Sequence, residues 1–193
     1  DTLYYSLEPR ISARLLLTDN WSVKAAYSEM TQYLHFLTNS TIGLPTDLWL
    51  PATNLVPPQK SYQYAFGSVY SISPGIDLTV EAYYKEMENL IEYKDGATFF
   101  DDPENIGNES DAWEEKIEIG KGKSYGAEVL IQKKTGDFTG WIGYTLSRTN
   151  RQFENISYGR EFPYRYDRRH DISLAMTYRI NKKIDVGMTW VYG

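Results

Sequence analysis

The chain has 193 residues, 41% of them hydrophobic and 24% charged, with a net charge of −6, which excludes a disordered tail, a helical membrane protein and a basic nucleic-acid-binding face. Zero Cys removes disulfides, thiol catalysis and Cys-based zinc sites. The skew is aromatic: 17 Tyr and 5 Trp stand against 7 Phe, a preference for rings with a polar tip that suits surfaces meeting both oil and water.

Hydrophobic alternation at period two predicts eight strands in chain order. The first, near 10–17, puts Ile11, Ala13, Leu15 and Leu17 opposite Arg10, Ser12 and Arg14. After Asp19-Asn20, Trp21, Val23, Ala25 and Tyr27 alternate with Ser22, Lys24, Ala26 and Ser28. The third sets Tyr62, Tyr64, Phe66 and Tyr70 against Ser61, Gln63, Ala65 and Gly67. Pro74-Gly75 leads to the fourth, with Leu78, Val80, Ala82 and Tyr84 opposing Thr79, Glu81, Tyr83 and Lys85. The fifth places Tyr125, Ala127, Val129 and Ile131 against Ser124, Gly126, Glu128 and Gln132. Lys134-Thr135-Gly136-Asp137 turns into the sixth, where Phe138, Ile142, Tyr144 and Leu146 oppose Thr139, Gly143, Thr145 and Ser147, with Trp141 on the polar side. The seventh has Ile172, Leu174, Met176, Tyr178 and Ile180 opposite Asp171, Ser173, Thr177 and Arg179. Asn181-Lys182-Lys183 turns into the last, Ile184, Val186, Met188, Trp190 and Tyr192 against Asp185, Gly187 and Thr189.

The expected fold is all-β and antiparallel. Tight turns alternate strictly with long connections, near 38–59, 94–122 and 155–166, which puts every tight turn at one end and every long loop at the other. Outer-membrane barrels have that asymmetry. Mean hydropathy is −0.51 and no run reaches the roughly 18 apolar residues of a spanning helix, so a membrane would be crossed by strands. Alternation alone does not separate this from a soluble lipocalin-like barrel. Strand length and loop asymmetry favour the membrane, with Val80, Ala82, Val129, Leu174 and Met176 on lipid and Thr79, Glu81, Glu128 and Ser173 on the lumen.

Catalytic signals are poor. His35 and His170 are the only histidines, far apart and without a nucleophile pattern, so no enzyme, catalytic residue, metal or cofactor is expected. Asp101-Asp102-Pro103-Glu104-Asn105 offers oxygen ligands without the spacing of a calcium loop, and a solvated acidic loop is the simpler reading. Asn20, Asn39, Asn108 and Asn155 match the glycosylation sequon, a pattern that would carry no meaning if the chain belonged to a bacterial envelope. Arg168, Arg169, His170 and Asp171 form a dense polar string, expected at the lumen or rim. Leu48, Trp49 and Trp113 lie on the long loops, where a large aromatic either packs the loop or touches a ligand.

The strings YSLEPRISARLLLTDNWSVKAAYSEMTQYLHFL, LPTDLWLPATN, QKSYQYAFG, VEAYYKEMENLIEYKDG, SYGAEVLIQKKTGDFTGWIGYTLS and FPYRYDRRHDIS resemble the barrel of TonB-dependent receptors, with a flavour of Bacteroidetes outer-membrane transporters. The resemblance implies that residues 1–193 are about eight strands from the C-terminal half of a 22-stranded transmembrane β-barrel. It implies a plug domain and a TonB box outside this chain, whose first residues show no signal peptide and whose last stop mid-strand. It further implies active import of a large scarce nutrient across the Gram-negative outer membrane, with membrane lipid, the TonB energy-coupling complex and a surface lipoprotein as partners. A polar lumen wall of Arg14, Lys24, Glu81, Lys85, Glu128, Arg179 and Asp185 is expected. The competing readings are a complete eight-stranded barrel of structural or adhesin type and a soluble ligand-binding barrel.

Overall fold

The computed structural model describes residues 3–38, 47–94 and 113–193. Its strands are β1 (Arg10–Thr18), β2 (Trp21–Gln32), β3 (Leu34–Thr38), β4 (Asp47–Pro51), β5 (Gln59–Ser73), β6 (Ile76–Tyr93), β7 (Ile117–Lys133), β8 (Phe138–Gln152), β9 (Phe162–Pro163), β10 (His170–Asn181) and β11 (Ile184–Tyr192). One antiparallel path runs β1-β2-β5-β6-β7-β8-β10-β11, with the short β9 paired to β8, while β3 and β4 form a separate hairpin. The eight strands of the path are the eight expected from alternation. Among the described residues β1 pairs only with β2 and β11 only with β10. The wall is therefore an open arc rather than a closed eight-stranded barrel.

Residues directly opposite in an antiparallel ladder point to the same side, so the register defines the two faces. One row reads Arg14, Lys24, Gly67, Glu81, Glu128, Thr145, Asp171 across seven strands. The neighbouring row on the other face reads Ala13, Ala25, Phe66, Ala82, Ala127, Leu146, His170. Beside that second row lie Tyr27, Tyr64, Tyr84 and Tyr125 in mutual register. The first face is polar, as expected of a lumen wall, and the second is apolar with an aromatic border, as expected of a face on lipid. Val80, Ala82, Val129, Leu174 and Met176 share the apolar face, and Thr79, Glu81, Glu128 and Ser173 the polar face.

Two boundaries differ from the sequence reading. The loop expected at 94–122 ends earlier, because β7 already starts at Ile117, while β6 ends at Tyr93 where that reading placed it. Beyond Tyr84 and Tyr125 the lipid-parity positions become Glu86, Glu88, Lys121 and Lys123, so the hydrophobic signal stops while the hydrogen-bond ladder continues. The connection expected at 38–59 carries the strand β4, which pairs with β3 just ahead of it.

The buried core lies at the loop end of the wall. Leu37, Val56, Ile91 and Ile117 form one cluster with Leu50, Tyr93 and Trp113 against it. Leu90, Phe153 and Ile156 form a second with Met87 and Phe162. A bulge separates the two: Asn89 adopts φ 57° and its Nδ2 donates to the Pro58 carbonyl at 2.9 Å. Asn tolerates this left-handed backbone better than most residues. The inserted residue swaps side-chain parity on β6. Ile91 then shares a face with Ile119, while Leu90 pairs with Gly120 on the lumen side.

Candidate functional site

Two surfaces carry the polar and aromatic residues available for recognition: the lumen wall and the crown of connections above it. On the wall, Lys24 Nζ forms an ion pair with Glu81 Oε1 although β5 lies between their strands. Gly67 makes this possible. A Cβ there would come within 2.5 Å of Lys24 Cε, so the missing side chain leaves the lane along which the lysine crosses. Arg14 donates from Nε and Nη2 to Ser22 Oγ at 3.2 and 3.1 Å. Arg179 Nε meets Asp185 Oδ1 at 3.4 Å near the tight-turn end. The residues expected on the lumen wall thus share one face.

The string Arg168, Arg169, His170, Asp171 is divided between sides: His170 and Asp171 open β10 and point opposite ways, while Arg168 stays beside Asp171. Asp171 joins the lumen row, accepting from Ser173 Oγ at 3.1 Å with Arg168 Nη1 4.0 Å away. His170 pairs with Leu146 on the lipid face, its Nδ1 lying 2.8 Å from Tyr144 Oη. Arg169 turns back to the Ser147 carbonyl at 3.3 Å.

In the crown, the β3–β4 hairpin has two distinct sides. His35 and Leu37, opposite Leu50 and Leu48, face the core and are fully covered. Phe36 and Trp49 face the other way, with ring centroids 4.9 Å apart, and Trp49 keeps 62% of its surface exposed. Trp113, in a short 3₁₀ turn at Trp113–Lys116, packs against the Leu37 cluster. Of the three loop residues expected to meet a ligand, Trp113 packs against the Leu37 cluster, Leu48 lies opposite Leu37, and Trp49 is presented outward. The Asp101–Asn105 run and the sequons at Asn39 and Asn108 lie outside the described residues.

Sequence reasoning gave no role to several groups that fix the crown. His35 is buried, with Gln59 Nε2 3.1 Å from its Nδ1. Burial pushes its pKa below the ordinary value, the Pro57 carbonyl opposing in part. Glu118 Oε1 accepts from the backbone N–H and the Nδ2 of Asn155 at 2.8 and 2.9 Å, tying the β8–β10 connection to the base of β7. Arg151 Nη1 lies 2.9 Å from Glu92 Oε2, and the guanidinium stacks 3.7 Å over the Tyr164 ring. Thr53 Oγ1 donates to Glu114 and accepts from the Leu55 and Val56 N–H groups, shaping the turn after β4. None of these has a sequence signature, since each joins segments far apart in the chain.

Residues 3–193 match the family described as TonB dependent receptor-like, beta-barrel. The fold is similar to the crystal structure of the ferric-catecholate import receptor Fiu from E. coli K12 in its closed form. That likeness has a TM-score of 0.60 at 20% identity and covers 93% of this chain and 23% of the receptor. The chain thus spans about a quarter of that receptor's length. No curated protein matches the sequence significantly.

Proposed function

The chain belongs to the TonB-dependent receptor β-barrel family, and from that membership we propose that residues 1–193 are part of the barrel domain of an active nutrient importer of the Gram-negative outer membrane. The plug domain and TonB box belong to other parts of the same protein, and the TonB complex supplies the energy through them. A surface lipoprotein is a further candidate partner. The wall holds lipid on one side and a hydrated lumen on the other, and no covalent chemistry or cofactor is required. The observation that carries this reading is the register itself: seven strands align Arg14, Lys24, Glu81, Glu128 and Asp171 on one face and alanines, Phe66 and Leu146 on the other. A soluble barrel alternates too, and the family match is what favours a sheet between lipid and water.

Recognition is assigned to the crown, with Trp49 as its exposed anchor, because binding residues concentrate on loops held by a rigid scaffold. The test is energised uptake by the full-length receptor in cells, normalised to surface-assembled protein. Ferric catecholate is the first compound to assay, since the matched structure is an importer of that class. Uptake should depend on TonB and should fall with Trp49→Ala at unchanged assembly. TonB-independent uptake would refute the transport reading, whereas unchanged uptake with Trp49→Ala would move recognition to the plug or a partner protein.

A further inference from the structure

We propose that the apolar face carries a site for an anionic, phosphate-bearing membrane lipid, with an acyl chain in a trough beside the tyrosine row and the headgroup at Arg148 and His170. The inference rests on the membrane reading of the wall and goes beyond it in naming which lipid the wall selects, and where.

The register builds the trough. Tyr27, Tyr64, Tyr84 and Tyr125 share one row, and the next row on the same face reads Ala25, Phe66, Ala82, Ala127. Wherever a ring stands beside a bare methyl, space is left between the rows. Two adjoining concavities of about 620 and 850 Å³ occupy it, each within the roughly 300–1,000 Å³ of small-molecule sites. Both border Tyr83 and Tyr84, so they run on as one trough from Ile11 on β1 to His170 on β10. Glu81, Lys85, Ser124 and Glu128 flank the same stretch on the polar face and do not line it, which puts the trough on the apolar side.

The ends of the apolar runs show how the trough lies in a membrane. Toward the loops, the apolar side of each strand ends at Lys60 on β5, Glu86 on β6, Lys123 on β7, Arg148 on β8 and His170 on β10. In the ladder these positions step down: Lys60 lies one row above Glu86 and Lys123, Arg148 lies in the tyrosine row opposite Tyr125, and His170 lies in the alanine row opposite Leu146. Rows therefore rise toward β10, as the 35–45° strand tilt of a membrane barrel requires. The trough starts inside the apolar band and climbs obliquely to its edge at β8 and β10, the course of a chain whose headgroup sits at that edge.

The edge there is basic. Arg148 Nε donates to Asn150 Oδ1 at 3.2 Å, and its two terminal nitrogens have no partner among the described residues. Its planar fork matches phosphate oxygens. His170 holds Tyr144 Oη 2.8 Å from Nδ1, which leaves its other ring nitrogen for the same headgroup. The nearby carboxylates are engaged: Glu86 accepts from Tyr84 Oη at 2.9 Å, and Glu161 lies 3.5 Å from Lys123 Nζ. Every lipid brings acyl chains to the trough, so the headgroup contacts decide which lipid stays.

Native mass spectrometry of the full-length receptor in uncharged detergent tests the site, with dioleoylphosphatidylglycerol and dioleoylphosphatidylcholine as probes of equal chain. The wild type should retain the anionic lipid about tenfold or more tightly than the zwitterionic one, the usual effect of a hydrogen bond to a charged group. Arg148→Gln should abolish that difference, while Arg148→Lys should stay within a few-fold of wild type. Ala127→Phe, which fills the trough and stays apolar, should weaken retention of both lipids. Lys133→Gln, which removes an equal charge from the other end of the same face, should change neither. Equal retention of the two lipids by the detergent-dependent wild type would overturn this site alone. So would an unaltered preference in Arg148→Gln, unaltered retention in Ala127→Phe, or an equal loss in Lys133→Gln. A receptor that stays in solution without detergent and retains neither lipid would refute the membrane reading, and the site with it.

Discussion

Replacing Leu174 by Arg tests the assignment of faces directly. Leu174 lies midway along β10 between His170 and Tyr178, opposite Ile142 on β8 and Trp190 on β11. The height of the apolar band can be read from β7, whose lipid-parity side runs Lys123, Tyr125, Ala127, Val129, Ile131, Lys133. Ten steps at about 3.4 Å, tilted by about 40°, span about 26 Å, against roughly 25 Å for the apolar belt of an outer-membrane barrel. Charges thus bracket the band at both ends. A residue midway between the borders of β10 sits near the bilayer midplane, where an arginine on the lipid face costs about 2–4 kcal/mol. That corresponds to roughly 30- to 900-fold in the assembly equilibrium. Ser173 points the other way, next to Asp171, so Ser173→Arg should cost about 1 kcal/mol or less in a hydrated lumen beside a carboxylate. The assay is assembly of the full-length receptor into vesicles, titrated with urea and read by heat-modifiable migration. Equal penalties for the two variants, or a larger one for Ser173→Arg, would refute the face assignment.

A double-mutant cycle on Lys24→Ala and Glu81→Ala should return a coupling of about 0–1 kcal/mol, because both partners are partly solvated; urea titration of the four variants measures it. Phe153→Ala empties a side chain that is 1% exposed between Leu90 and Ile156 and should destabilise the crown by about 3–5 kcal/mol. Protease cleavage within 153–169 should rise while surface assembly persists. For His35 the folded-state pKa lies below the ordinary value, so the unfolded hairpin takes up the proton first. Its stability should be complete above about pH 6.5 and fall as the pH drops below that, read as hydrogen exchange of β3 and β4 at pH 8 and pH 5. The isolated 1–193 polypeptide should not migrate as a closed barrel, because β1 and β11 each leave one edge of backbone donors and acceptors open.

The wall was legible because a membrane imposes a period of two on every strand it touches. Trp21 to Tyr27 and Tyr125 to Ile131 each show it without a tertiary partner being known. The crown was not, for three physical reasons. LHFLT and DLWLP are short apolar runs whose alternation is hidden because both sides of the hairpin carry large side chains, one against the core and one as the Phe36–Trp49 pair. The parity switch at Asn89 moves every later residue of β6 to the opposite face, yet it leaves no trace in composition. The polar clamps, such as Glu118 on Asn155 and Gln59 on His35, join residues 37 and 24 positions apart, a relation that only the folded chain reveals. Trp113 illustrates the cost of that blindness. Its place on a polar loop fits a ligand contact as well as a packing role, and the contact with the Leu37 cluster became visible only in the fold.

Burial is divided in a way that separates assembly from recognition. The buried hydrophobic residues among those described are Leu37, Val56, Leu90, Ile91, Ile117, Phe153 and Ile156, all beyond the tyrosine row that borders the apolar band. Within the band the large side chains stay open, with Phe66 at 57%, Met188 at 56% and Val186 at 53% exposure. Such a face is stable only where its surroundings are themselves apolar. The wall therefore depends on its ladder of backbone hydrogen bonds and on lipid, whereas the crown depends on an ordinary hydrophobic core. Because the two parts rest on different forces, a substitution such as Trp49→Ala changes an exposed ring of the crown without touching any contact that holds a spanning strand. A loss of uptake in that variant can then be read as a loss of recognition, provided the amount of assembled receptor is measured alongside it.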